Sequence, residues 1–149
     1  MRDKTVNMMK LEFFAKSANE AFARSAVASF AAQCDPSVSA VADIKTAVSE
    51  AVTNSIVHGY SDISDKSECP IYIVCKLLES KRLIIKIKDR GRGIEDIDKA
   101  MQPLFTTDTD GERSGMGFTV MQSFCDGIKV CSKVGKGTTV TLEKRLDCR

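Results

Sequence analysis

The strongest constraint on the fold is a pair of alternating runs, residues 71–78 and 83–89, separated only by Glu79-Ser80-Lys81-Arg82. Strand-length apolar alternation on both sides of a tight link predicts a β-hairpin. Side chains alternate across a strand, so Leu83, Ile85, Ile87 and Asp89 share one face. A sheet with one apolar face must bury it against a second layer. That layer is available upstream. Ala23, Val27, Phe30, Ala31 and Cys34 recur at helical spacing in a predicted helix over about residues 20–33. Ile44, Ala47, Val48, Ala51, Val52 and Ser55 do the same in a second helix over residues 39–58. Ser17 or Asn19 is expected to cap the first helix. Asp35-Pro36 separates the two, and Gly59 is expected to close the second as its C′ residue.

Around this centre, residues 8–15 read as a strand and residues 61–70 as a polar loop. Residues 94–100 read as a short helical turn, and residues 114–124 as a helix entered through glycines. A closing hairpin is predicted from residues 128–133 and 138–143 across Gly135-Lys136-Gly137. Residues 101–113 lack periodicity, and loops of that length are usually functional. The order predicts an α+β fold, a two-layer sandwich in which about three helices cover one face of a mixed sheet. With 149 residues the chain fits one domain, expected to span residues 1–149.

Composition narrows the partners. A net charge of +2 without a basic run or a basic-aromatic strip gives no reason to expect nucleic acid or membrane as partner. No apolar run approaches the roughly 20 residues of a membrane span, and Met1 to Val6 has no apolar leader core. The six cysteines lack Cys-x-x-Cys spacing and mostly sit in apolar runs, where thiols act as small hydrophobes. A cytoplasmic protein is the expectation.

Four segments carry chemistry. Glu50 and Asn54 are spaced i, i+4 and point the same way from their helix. An amide oxygen suits Mg²⁺, and a carboxylate beside it can take a proton from an attacking hydroxyl. Alone, the pair reads first as two solvated helix residues, and His58 as a helix C-terminal residue favoured by the dipole. Asp89 shares a face with three apolar residues, so its charge requires a specific donor, for which the amino group of adenine is a candidate. Gly91 and Gly93 allow the backbone to approach a flat base. Alone, Asp89-Arg90-Gly91 reads first as a surface turn. Ser114-Gly115-Met116-Gly117 offers bare N–H groups at a helix start, an anion site, with Arg113 able to reach a phosphate. Thr138 shares a face with Val140 and Leu142, and there its hydroxyl needs a partner. Each of these segments alone also reads as an ordinary turn or helix entry.

In combination and in this order, the four segments resemble the N, G1, G2 and G3 boxes of the GHKL (Bergerat) ATPase superfamily. The stretches at residues 19–24, 27–30, 48–54, 102–107 and 112–118 resemble, within it, the anti-sigma F factor family of spore-forming bacteria. The likeness runs from about Leu11 to Leu142 and departs in residues 61–70, in residues 108–111 and before Met8. It implies an ATP-dependent protein-serine kinase that also sequesters a sporulation sigma factor. By position it implies Glu50 as catalytic base, Asn54 as Mg²⁺ ligand, and Asp89 with Thr138 as the adenine site beside Gly91 and Gly93. It implies Thr106, Thr107, Arg113, Ser114, Gly115 and Gly117 as phosphate-side residues, with Arg113 assisting transfer. It further implies Arg24, with Glu20, as the surface for two partners, the sigma factor and a serine-bearing anti-anti-sigma factor, in a homodimer loaded with ATP or ADP. A non-catalytic nucleotide-binding regulator is the alternative. A histidine kinase domain fits less well, because no upstream helix pair carries a phosphoacceptor histidine and His58 is the sole histidine.

Overall fold

A computed structural model describes residues 2–102 and 117–146. Within them the chain runs β1 (Thr5–Phe14), α1 (Ser17–Ala32), α2 (Val38–Asn54), a π-helical turn (Ser55–Gly59), β2 (Pro70–Leu78), β3 (Arg82–Asp89), α3 (Ile97–Ala100), α4 (Gly117–Phe124), β4 (Gly127–Lys133) and β5 (Gly137–Arg145). The strands form one sheet in the order β1-β2-β3-β5-β4.

The hairpin predicted at the centre forms as β2 and β3, in antiparallel register from Leu77 opposite Leu83 to Ile71 opposite Asp89. Its alternation is one-sided. Ile71, Ile73, Cys75, Leu83, Ile85 and Ile87 are fully buried, whereas Tyr72, Val74, Ile84, Lys86 and Lys88 stand on the other, open face. Val140 and Leu142 extend the buried face into β5. The helices cover that face, with Val27 and Phe30 of α1, Ile44, Val48 and Val52 of α2, and Met121 of α4 in one apolar cluster with the strands. α2 lies in the middle of the helical layer, in contact with α1 and with α4.

Three expectations are corrected. The sheet is not mixed: every adjacent pair is antiparallel. The connection through α4 does send β4 parallel to β3, but β5 folds back between them, so no parallel neighbours arise. Neither Ser17 nor Asn19 caps α1. The helix starts earlier, after an extended Lys16 with no side-chain cap, so both residues lie inside its first turn. There Asn19 Nδ2 donates to the carbonyl of Phe14 at 2.8 Å and ties the helix start to the end of β1. α2 does not stay α-helical to His58 but widens after Asn54, where the Tyr60 N–H reaches back five residues to the Ser55 carbonyl at 3.1 Å. At its start, Ser37 Oγ accepts the Ala40 N–H at 3.0 Å, an N-cap.

Candidate functional site

Asp89 ends β3 on the buried face and is only 3% exposed. Its strand neighbours are Ile71 of β2 and Thr138 of β5. A carboxylate there is tolerable only with donors. Oδ2 accepts the Ser55 hydroxyl at 2.8 Å, and Oδ1 accepts the Gly91 N–H at 2.9 Å. Burial still pushes the Asp89 carboxyl above its ordinary value of 3.8, against the opposing pull of the Gly91 N–H, the Ser55 hydroxyl and the Thr138 N–H. The sequence offered a buried carboxylate and an Asp-x-Gly turn as alternatives. Asp89 is both, because its side chain accepts from the N–H two residues on while lying in the core face.

The widened turn after α2 supplies the room. A Cβ on Gly59 would sit 2.9 Å from Asp89 Oδ2, so an ordinary side chain would collide with the carboxylate. Gly59, expected from sequence as the C′ residue of the helix, instead ends the π-helical turn, with Tyr60 as the cap. Positive φ among the described glycines is confined to Gly93, Gly135 and Gly137. The loop after Asp89 packs directly on the same turn. A Cβ on Gly91 would lie 1.9 Å from the Gly59 carbonyl oxygen, an impossible approach for any other residue.

Hydrogen bonds stitch that loop on both sides. The Arg90 N–H donates to Tyr60 Oη at 2.8 Å, and the Tyr60 hydroxyl in turn donates to the Pro70 carbonyl. The Arg92 N–H bonds the Gly59 carbonyl at 2.8 Å, and the Gly135 N–H bonds the Arg92 carbonyl at 2.8 Å. The Ile94 N–H donates to Ser132 Oγ at 2.8 Å. The loop thus hangs between the end of α2 and the β4–β5 hairpin.

Between these elements lies a cavity of about 660 Å³, within the size range of small-molecule sites. Asn54, His58, Asp62, Asp89, Arg92, Gly93, Ile94, Lys99, Gly117, Phe118 and Thr138 are among the residues that line it. Five predicted site residues therefore meet in one hollow: Asn54, Asp89, Gly93, Gly117 and Thr138. Gly117 opens α4 against Asn54, whose Nδ2 would be 3.0 Å from a Cβ there. Gly91 is buried and does not line the hollow. Glu50 lies one turn before Asn54 on α2, half-buried, and does not line it either. Glu20 and Arg24 are on α1, paired with each other i, i+4. Thr106, Thr107, Arg113, Ser114 and Gly115 lie outside the described residues.

Among the described residues no three His, Cys, Asp or Glu side chains gather to hold a metal. The donor set at Asn54, a single amide oxygen beside a cavity of ligand size, fits a hard cation that keeps waters and takes its other oxygens from a phosphate. Sequence reasoning missed three positions. Ser55 was readable as a polar residue in an apolar stripe, which needs a buried partner. Tyr60 and Ser132 gave no sequence signal, because their roles depend on contacts across the sheet.

Residues 13–144 match the model of the histidine kinase-like ATPase domain. An anti-sigma F factor of Thermoanaerobacter sp. (strain X514) is 54% identical over 138 residues, 93% of each chain. One from Clostridium acetobutylicum is 52% identical over 139 residues, 93% of this chain and 94% of the relative. Among solved structures, a Mycobacterium tuberculosis protein with RsbU and RsbW domains superposes with a TM-score of 0.69 at 21% identity, over 95% of this chain and 33% of that one. A blue-light activated histidine kinase of Erythrobacter litoralis gives a TM-score of 0.56 at 24% identity, over 75% of this chain and 32% of that one. These structural likenesses bear on the fold.

Proposed function

The chain belongs to the histidine kinase-like ATPases and, among them, to the anti-sigma F factor family, and from that premise we propose that it is an ATP-dependent serine kinase and a sigma-factor inhibitor in one domain. Its substrate is a serine of an anti-anti-sigma factor. Its captive is a sporulation sigma factor, bound by a nucleotide-loaded homodimer. The observation that carries this reading is the Asp89 carboxylate at the cavity, with Asn54 and Gly117 beside it.

An ionised carboxylate only accepts hydrogen bonds, so Asp89 selects a ligand with an N–H group, as adenine has. Gly91 and Gly93 hold the loop around the base, and Thr138 completes the adenine side. The phosphates fall to Gly117 at the start of α4, where free backbone N–H groups favour an anion, and, by the family resemblance alone, to Thr106, Thr107, Arg113, Ser114 and Gly115. Asn54 would hold Mg²⁺, which supplies charge neutralisation on the phosphates. In the transfer, the partner's serine Oγ forms a bond to the γ-phosphorus as the bond to the ADP oxygen breaks. Glu50 takes the serine proton. The Arg24 surface, with Glu20, receives either protein partner but not both together, which couples phosphorylation to release of the sigma factor.

The position of Glu50 outside the cavity lining favours one competing reading, a nucleotide-dependent binding module without transfer. One assay separates the two. Labelled Mg-ATP is incubated with the protein and the purified anti-anti-sigma factor. Acid-stable label on a serine of the partner supports the kinase. ATP binding without transfer leaves the binding module, and an acid-labile label defeats serine chemistry.

A further inference from the structure

Ser132 does not line the cavity, yet it bonds two residues that do, Ile94 and Thr138. Resting on the nucleotide-site reading above, we infer that Ser132 is a positioning residue that fixes the direction of the Thr138 hydroxyl and makes the site select a 6-amino purine over a 6-oxo purine. Ser132 Oγ carries one proton and two lone pairs. It lies 3.0 Å from the Gly137 carbonyl, which can only accept, so the Ser132 proton is committed there. The Ile94 N–H, 2.8 Å away, occupies one lone pair. In the remaining contact, Thr138 Oγ1 at 2.8 Å, geometry lets either hydroxyl donate, and with the Ser132 proton on Gly137 the donor is assigned to Thr138.

This commits the only hydroxyl proton of Thr138 away from the cavity that Thr138 lines. What Thr138 offers a ligand or a bridging water is a lone pair. Asp89, its cross-strand neighbour, offers lone pairs as well, since its carboxylate is already turned by Ser55 and Gly91. Two acceptors side by side welcome the exocyclic amine of adenine. They oppose the carbonyl of hypoxanthine or guanine, because neither can turn a donor toward it. Asp89 alone would give part of this preference. A Thr138 hydroxyl free to rotate would relax it, and Ser132 removes that freedom.

The test compares equilibrium affinities for Mg-ATP, with a 6-amino group beside an unprotonated N1, and Mg-ITP, with a 6-oxo group beside an N1–H, in the full chain and in Ser132→Ala and Ser132→Thr. The ATP-to-ITP preference is expected to fall by about tenfold in Ser132→Ala, the scale of one uncharged hydrogen bond, and to return in Ser132→Thr. An unchanged preference in folded Ser132→Ala overturns the inference. Should that variant not fold, Thr138→Val decides the matter. An acceptor-only hydroxyl predicts that ATP affinity drops while ITP affinity holds, and an equal loss of both means the hydroxyl rotates. A wild-type protein that binds neither nucleotide defeats the nucleotide-site reading itself, a separate outcome.

Discussion

Replacing Asp89 with asparagine separates what the carboxylate does for the ligand from what it does for the fold. The two internal bonds can survive the change. The new amide oxygen would still accept the Gly91 N–H, and the amide nitrogen would donate to Ser55, whose hydroxyl turns to accept. The second amide proton has only the cavity to face, so a donor replaces the acceptor that adenine's amine requires. Losing one hydrogen bond to a charged group costs about 1.5–3 kcal/mol, which is about a 10- to 150-fold weaker Kd for ATP. Stability should move the other way. Burial holds the Asp89 carboxyl above 3.8, so between that value and its folded pKa the native state keeps a proton that the unfolded chain has released. The group therefore contributes stability at low pH that is lost as pH rises through the folded pKa. A neutral amide carries no such loss, and the variant should melt no lower than wild type at neutral pH. ATP affinity of the wild type should rise over the same interval, as Asp89 ionises and becomes a pure acceptor. Calorimetric titration with Mg-ATP from acid to neutral pH, with a melting curve at each point, measures both. A folded Asp89→Asn protein with wild-type ATP affinity would refute the adenine assignment.

Glu50→Gln should lower phosphoryl transfer by about 10²–10⁴-fold, the usual worth of a general base, with ATP affinity largely retained; quench-flow and titration on one preparation test this, and full turnover would remove Glu50 as base. Gly91→Ala places a methyl 1.9 Å from the Gly59 carbonyl and should cost at least the upper part of the about 1–3 kcal/mol typical of overpacking, read as a lower denaturant midpoint together with lost ATP binding. Arg24→Glu removes the intrahelical pair with Glu20 and should abolish sigma-factor capture without weakening ATP binding; an unaltered pull-down would exclude that surface.

How much was legible follows from the range of each interaction. The hairpin at residues 71–89 was readable because strand alternation and tight turns are local, and Asp89 inherited its buried face from Leu83, Ile85 and Ile87 by the same period. Thr138 was placed by the same reasoning from Val140 and Leu142. The all-antiparallel pairing was not readable, because it depends on which strand slips between β3 and β4, a choice made by tertiary packing. The widened turn at residues 55–59 escaped for a related reason. Its sequence continues the helical period of α2, and the extra residue in the turn becomes intelligible only once Asp89 and the loop at Gly91 press against Gly59. The resemblance to a family implied a role for Arg24 that spacing could not suggest, and it raised Glu50 from a solvated helix residue to a candidate base.

The arrangement around Asp89 explains why the site is built from segments so far apart in sequence. A carboxylate in an apolar sheet face opposes folding, and no single element could hold it. β3 carries it, the turn after α2 brings the Ser55 hydroxyl, and the loop at Gly91 brings an N–H. The same three segments wall the cavity, with Thr138 of the adjacent strand β5 beside Asp89. The contacts that make the charge tolerable are therefore the contacts that shape the hollow. Loosening any one of them, at Gly59, Gly91 or Ser55, should release the carboxylate toward solvent and open the binding site in a single event. This coupling gives the fold a reason to keep an unfavourable charge. The cost is met by bonds from Ser55, Gly91 and Thr138, and the lone pair they leave over is what the carboxylate has to offer a ligand.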